Sequence, residues 1–145
     1  MMVPPFITLR AAGASLALAY GIQAIASILC MALVYWAWSL RHADRRLVIA
    51  LVLCLAPLAT PYAHSYDLVS VAVACAILVK VAQERDGLHT WERLMLGLAW
   101  VWPGSAFFIG VLLCPGLGVF TVGMAAWVAI RRIREGSGRS PAEPL

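Results

Sequence analysis

The sequence predicts an all-α, polytopic integral membrane protein of about five transmembrane helices, with the N-terminus outside and the C-terminus in the cytoplasm. Three observations predict it. Of 145 residues, 63% are hydrophobic and 12% are charged, about half the charged share of an ordinary soluble domain. A chain this short cannot hide so much apolar surface from water, whereas hydrocarbon makes that surface harmless. The few charges cut the chain into long apolar blocks. Finally, all of the 11 Lys and Arg residues except Arg10 fall on one side when those blocks are threaded alternately through a bilayer.

The first block, Ala11–Leu40, carries no formal charge and predicts a helix over 13–38. Met1–Leu9 holds no base, and the apolar run after it is too long for the core of a signal peptide, so the run reads as a span. Leu47–Ala63 predicts a second helix over 46–62. Leu68–Val79 predicts a short third helix over 66–82, which Lys80 can lengthen by snorkelling. Leu94–Ile130 is uncharged throughout and long enough for two spans of about 20 residues each. Its better turn is Cys114-Pro115-Gly116-Leu117-Gly118 rather than Trp102-Pro103-Gly104-Ser105. That choice gives a fourth helix over 91–113, kinked at Pro103, and a fifth over 117–133. Residues 1–134 therefore form a transmembrane helical domain. The Gly, Ser, Pro and charge of 135–145 read as a disordered cytoplasmic tail.

Orientation follows from the bases. With Arg41, Arg45, Arg46, Lys80, Arg85, Arg93, Arg131, Arg132, Arg134 and Arg139 inside, the positive-inside rule is met and a multi-pass protein of the cell (inner) membrane is expected. The net charge of +4 is thus a matter of topology. No run of bases and aromatics points to nucleic acid, and membrane lipids are the expected surroundings. Trp36, Trp38 and Trp91 fall at inner helix ends as an aromatic belt, while Trp100 and Trp102 are expected to pack between helices. Cys30, Cys54, Cys75 and Cys114 lie apart in apolar blocks and read as small buried residues, not as metal ligands. No cofactor is expected, since neither phosphate-binding glycine loop, zinc motif nor nucleophile elbow is present.

The chemistry-bearing stretch is Ala59-Thr60-Pro61-Tyr62-Ala63-His64-Ser65-Tyr66-Asp67-Leu68, on the outer side between the second and third helices. Asp67 is the sole acid of the outer half, and a carboxylate beside hydrocarbon faces a partner or a wet cavity. It also suits a helix N-terminus, with Thr60 or Ser65 as N-cap. His64 lies in the same loop, where an imidazole can hold or release a proton. Arg10 is the sole outer base and could grip a phosphate bidentately, pair with Asp67 or meet headgroups. Gln23 lies mid-span on one face with Tyr20 and Ser27, a pattern of interhelical hydrogen bonds as much as of a binding site.

An apolar helix ending Ala59-Thr60-Pro61-Tyr62, followed by Tyr66-Asp67-Leu68 and another apolar helix, resembles glycosyltransferase family 87. That family comprises polytopic enzymes of the GT-C type, related to polyprenol-phosphate-mannose-dependent mannosyltransferases. Leu9-Arg10-Ala11-Ala12-Gly13 and Ala19-Tyr20-Gly21-Ile22-Gln23 resemble the segment upstream of that loop, and Trp100-Val101-Trp102-Pro103 and Pro115-Gly116-Leu117-Gly118 resemble the last two helices. The resemblance covers about residues 6–134 and corresponds to the C-terminal part of the family fold. It implies transfer of a hexose, mannose in the first instance, from a polyprenyl-phosphate donor at the outer face, with inversion at the anomeric carbon. It places Arg10, Tyr62, His64, Tyr66 and Asp67 around the substrate cavity, with Gln23 as a further candidate. The family's catalytic acid sits in a first outer loop without counterpart here, so no catalytic residue is assigned. The chain is expected to be a C-terminal fragment or truncated member of such an enzyme, with the missing helices on a separate chain as one candidate partner. A non-enzymatic membrane protein that packs with partner helices remains the alternative. A small transporter is a weaker one, because Gln23 alone stands near the midplane.

Overall fold

The computed structural model describes residues 6, 9–10, 12–41, 43–61, 69–105 and 117–138. Among them the chain is all-α and forms five helices with no strand. We label them α1 (Leu16–Ser39), α2 (Arg45–Ala59), α3 (Val69–Glu84), α4 (Thr90–Ser105) and α5 (Leu117–Gly138). The number of helices matches the sequence expectation. By length and composition, α1 alone among the described residues is long and apolar enough to cross a membrane. α2, α3 and α4 have 15, 16 and 16 residues, or roughly 22–24 Å at 1.5 Å per residue. The outer ends expected for these helices fall in 62–68 and 106–116, outside the described residues.

Local chemistry sets each boundary. A helical turn through Leu9 and Arg10 ends where Ala14 N–H donates to Leu9 O at 3.0 Å and Gly13 N–H to Arg10 O at 3.1 Å. This is a Schellman closure, and it requires the positive φ of +83° that Gly13 adopts without a Cβ penalty. The chain then reverses, and Ser15 caps α1 by accepting from Leu18 N–H at 3.3 Å. At the other end of α1, Ser39 Oγ donates back to Trp36 O at 2.8 Å. Asp44 caps α2 through Arg46 N–H at 2.9 Å. α3 closes where Gly87, at φ +79°, donates its N–H to Ala82 O at 2.8 Å.

α2 is the hub, packing against α1, α3 and α5. Its buried positions, Leu47, Val48, Ala50, Leu51, Cys54, Leu55 and Pro57, cover more than one face. α3 offers a single stripe, Val71, Ala74, Cys75, Leu78, Val81 and Ala82, with the helical spacing that one buried face demands. Ala50, Ala74, Ala125 and Ala129 are fully buried; such small residues let helix backbones approach closely. α1 is peripheral, burying only Ala19, Gln23, Cys30 and Ala37 of its 24 residues.

Three expectations change. Trp100 is exposed rather than packed between helices, because α4 buries the narrow stripe Glu92, Leu96 and Ala99 and the next residue turns about 100° away. Thr60 is the C-cap of α2, not the N-cap of α3, which begins at Val69. α5 continues to Gly138, past the helix end expected at residue 133. There Arg131 and Glu135 pair one turn apart at 2.7 Å and prolong the helix.

Candidate functional site

The end of the bundle where α2 finishes holds the described part of the sequence-predicted site. A helix leaves its last four carbonyls without intrahelical partners, and α2 adds a fifth through Pro57, which has no N–H for Leu53 O. Neighbouring side chains meet these acceptors. Ser70 Oγ of α3 donates to Leu53 O at 3.1 Å. Thr60 Oγ1 turns back to Ala56 O at 3.3 Å and Pro57 O at 3.5 Å. Gln23 Nε2 of α1 donates to Leu58 O at 3.0 Å, and Ser27 Oγ to Ala59 O at 2.7 Å. Every donor in this set is uncharged.

Gln23 is therefore a clasp between helices. It is buried, and its Oε1 accepts from Phe6 N–H at 3.3 Å. The Phe6 ring lies 4.7 Å from that of Tyr20, centroid to centroid, which folds the segment before Gly13 back along α1. Arg10 stands exposed at the turn, its guanidinium donating to Ala14 O at 2.8 Å. Tyr62, His64, Tyr66 and Asp67 lie outside the described residues. The structure thus places Gln23 and Arg10 at the same end of the bundle, on either side of the Gly13 reversal.

The opposite end is ionic, and the sequence reading missed how it is organised. Glu92, fully buried, accepts from Arg132 Nε at 2.8 Å and makes a second, shorter bond with Arg132 Nη2. Arg132 Nη2 also donates to Gly87 O at 2.8 Å. Glu92 accepts from His89 N–H at 2.9 Å, the backward half of a capping box at the start of α4. The spacing from His89 to Glu92 was the available signal. Nothing in the sequence told which base would reach it across forty residues.

A second cluster ties the α1–α2 loop to the end of α3. Arg85 Nη2 bonds Asp44 Oδ2 at 3.0 Å, while Arg46 bonds Asp44 at 3.1 Å and Glu84 at 2.5 Å. Partial burial pushes the Asp44 carboxyl up. Hydrogen bonds from Arg46 and the charges of Arg46 and Arg85 outweigh that and hold it below the usual carboxylate range. Tryptophan rings engage other bases: Arg131 stands 4.5 Å from the Trp91 centroid, Arg134 5.5 Å from Trp36 and Arg45 6.0 Å from Trp38. These are cation–π distances.

No group of three or more His, Cys, Asp or Glu able to hold a metal occurs among the described residues. Comparison with protein-family models, with curated proteins and with solved structures gives no match to this chain.

Proposed function

We propose that this chain is a multi-pass membrane protein belonging to a polyprenyl-phosphate-sugar-dependent glycosyltransferase. It builds the wall of the outer-face cavity and does not supply the group that reacts with the sugar. The observation that supports this reading is the finish of α2. Its open carbonyls meet uncharged donors from α1, from α3 and from Thr60, as backbone inside hydrocarbon requires. That arrangement fixes the stem from which the Pro61–Leu68 connection departs, the stretch in which the family resemblance is strongest.

α1 supports the membrane placement. Ile25, Ile28, Leu29, Met31 and Tyr35 are each more than half exposed, a contiguous apolar face that water does not tolerate on this scale. In the assembled enzyme a hexose passes from its lipid phosphate to an acceptor with inversion. Arg10 contacts the donor phosphate, while Tyr62, His64, Tyr66 and Asp67 line the cavity. Gln23 holds the wall together. The same bare face of α1 favours one other reading, a non-enzymatic membrane subunit that packs with partner helices.

The test has two steps. The chain is expected in the membrane fraction after alkaline washing, and recovery in the soluble fraction would overturn the placement. Purified alone, it is expected to give no turnover with polyprenyl-phosphate-mannose. Turnover should appear when helices bearing the family's acidic residue are supplied on a second chain. Robust turnover by the lone chain would overturn the wall-only role, and none in either arrangement would favour the packing subunit.

A further inference from the structure

Some cations are left over from the pairing at the ionic end. Lys80 on α3 and Arg93 on α4 are exposed and make no ion pair with a described residue, unlike Arg46, Arg85, Arg131 and Arg132. Both line one groove between α3 and α4, of about 680 Å³, within the range of about 300–1,000 Å³ usual for small-molecule sites. From these two bases the groove runs about 10 Å along α4, two helical turns, past Cys75, Leu96, Gly97 and Trp100. Leu96 and Cys75 form a buried apolar floor, and Trp100 stands exposed at the far end. A Cβ built on Gly97 meets nothing within 4 Å, so the groove is open at its middle.

We propose that this groove seats one acyl chain of an anionic phospholipid, with the headgroup phosphate between Lys80 and Arg93. The inference rests on the membrane placement above. Two bases flanking one hollow, with no carboxylate between them, call for an anion. A phosphate offers oxygens to both, bidentately to the guanidinium. The apolar channel leading away matches a hydrocarbon tail, which inorganic phosphate lacks. A zwitterionic lipid brings its own cation to the same place and is disfavoured by like-charge repulsion. The end concerned is the basic one, where anionic lipids are drawn to clustered Lys and Arg.

The experiment is native mass spectrometry of the full chain released from detergent with equimolar phosphatidylglycerol and phosphatidylcholine. Phosphatidylglycerol is expected to be retained about tenfold over phosphatidylcholine, which corresponds to about 1.4 kcal/mol, with inorganic phosphate failing to compete. Replacing both bases, Lys80→Gln with Arg93→Gln, removes the headgroup preference. Gly97→Leu lowers retention of both lipids severalfold with all charges in place. Arg41→Gln, at an exposed base outside the groove, changes nothing. Equal retention of the two lipids by the native chain overturns the proposal. So does undiminished binding by Gly97→Leu, or an equal loss in Arg41→Gln. Should the double variant fail to fold, the Gly97→Leu and phosphate-competition arms decide alone. A chain that purifies without detergent overturns the membrane placement itself, whereas a detergent-extracted chain with no lipid preference overturns only the groove.

Discussion

The two ends of the bundle solve the same problem with different chemistry. Where α2 finishes, amide and hydroxyl donors meet bare carbonyls, and among the described residues the one ion there, Arg10, sits at the exposed turn. Where α2 begins, carboxylates meet guanidiniums and guanidiniums meet indole rings. Neutral donors suffice for a helix end in an apolar medium, since each uncharged group carries a small desolvation cost. Ions are tolerable where water or headgroups lie close, and they fix orientation there. The contrast teaches that, among the described residues, the charges other than Arg10 gather at one pole and the backbone repairs at the other.

Breaking each pole in turn sharpens that contrast. The largest effect is expected from Arg132→Met, which leaves Glu92 buried without its cation. A loss of about 3–5 kcal/mol is expected, read as a lowered melting temperature in detergent, and Glu92→Gln with Arg132→Met together should recover most of it. Next comes Gln23→Leu, which strips Leu58 O and Phe6 N–H of their partner. About 1–2 kcal/mol is expected, with increased proteolysis near residues 6–13. If Gln23→Leu exceeds Arg132→Met, the ionic pole is not the stronger clamp.

Trp91→Leu removes the ring beneath Arg131 and should cost about 0.5–1 kcal/mol, measured by the same melt. The smallest effect is a pH dependence. The folded Asp44 carboxyl lies below its ordinary value, so its contribution is fully present above the unfolded pKa of about 3.9. It is lost as pH falls through the lowered folded value. Asp44→Asn keeps an N-cap and should flatten that acid limb without moving the melting temperature near neutrality by more than a few degrees.

Charge breaks made the helices legible in the sequence. Asp44–Arg46 and Glu84–Asp86 interrupt apolar blocks, and the described helices stop or start there. The start of α1 at Leu16 rather than 13 was set by the Gly13 reversal and the Ser15 cap, a local geometry that hydropathy does not see. The end of α5 ran on because side-chain pairs along the helix outweighed the composition of the tail. Of the candidate site, the sharing of one face by Gln23 and Ser27 was readable from their spacing. Their partners were not, because Leu58 O and Ala59 O are backbone atoms that become acceptors only once α2 ends beside α1. The Glu92–Arg132 pair stayed hidden for a similar reason, since it depends on which face α5 turns toward α4.

The proline in α2 has a consequence for how the protein comes together. The Leu53 oxygen that it leaves open is met by Ser70, seventeen positions downstream of Leu53. The second helix is therefore unfinished as an independent unit and is completed by donors from both the first helix and the third. A chain that stops translation before Ser70 leaves the Leu53 oxygen without this donor, so the backbone of the second helix waits on the synthesis of the third.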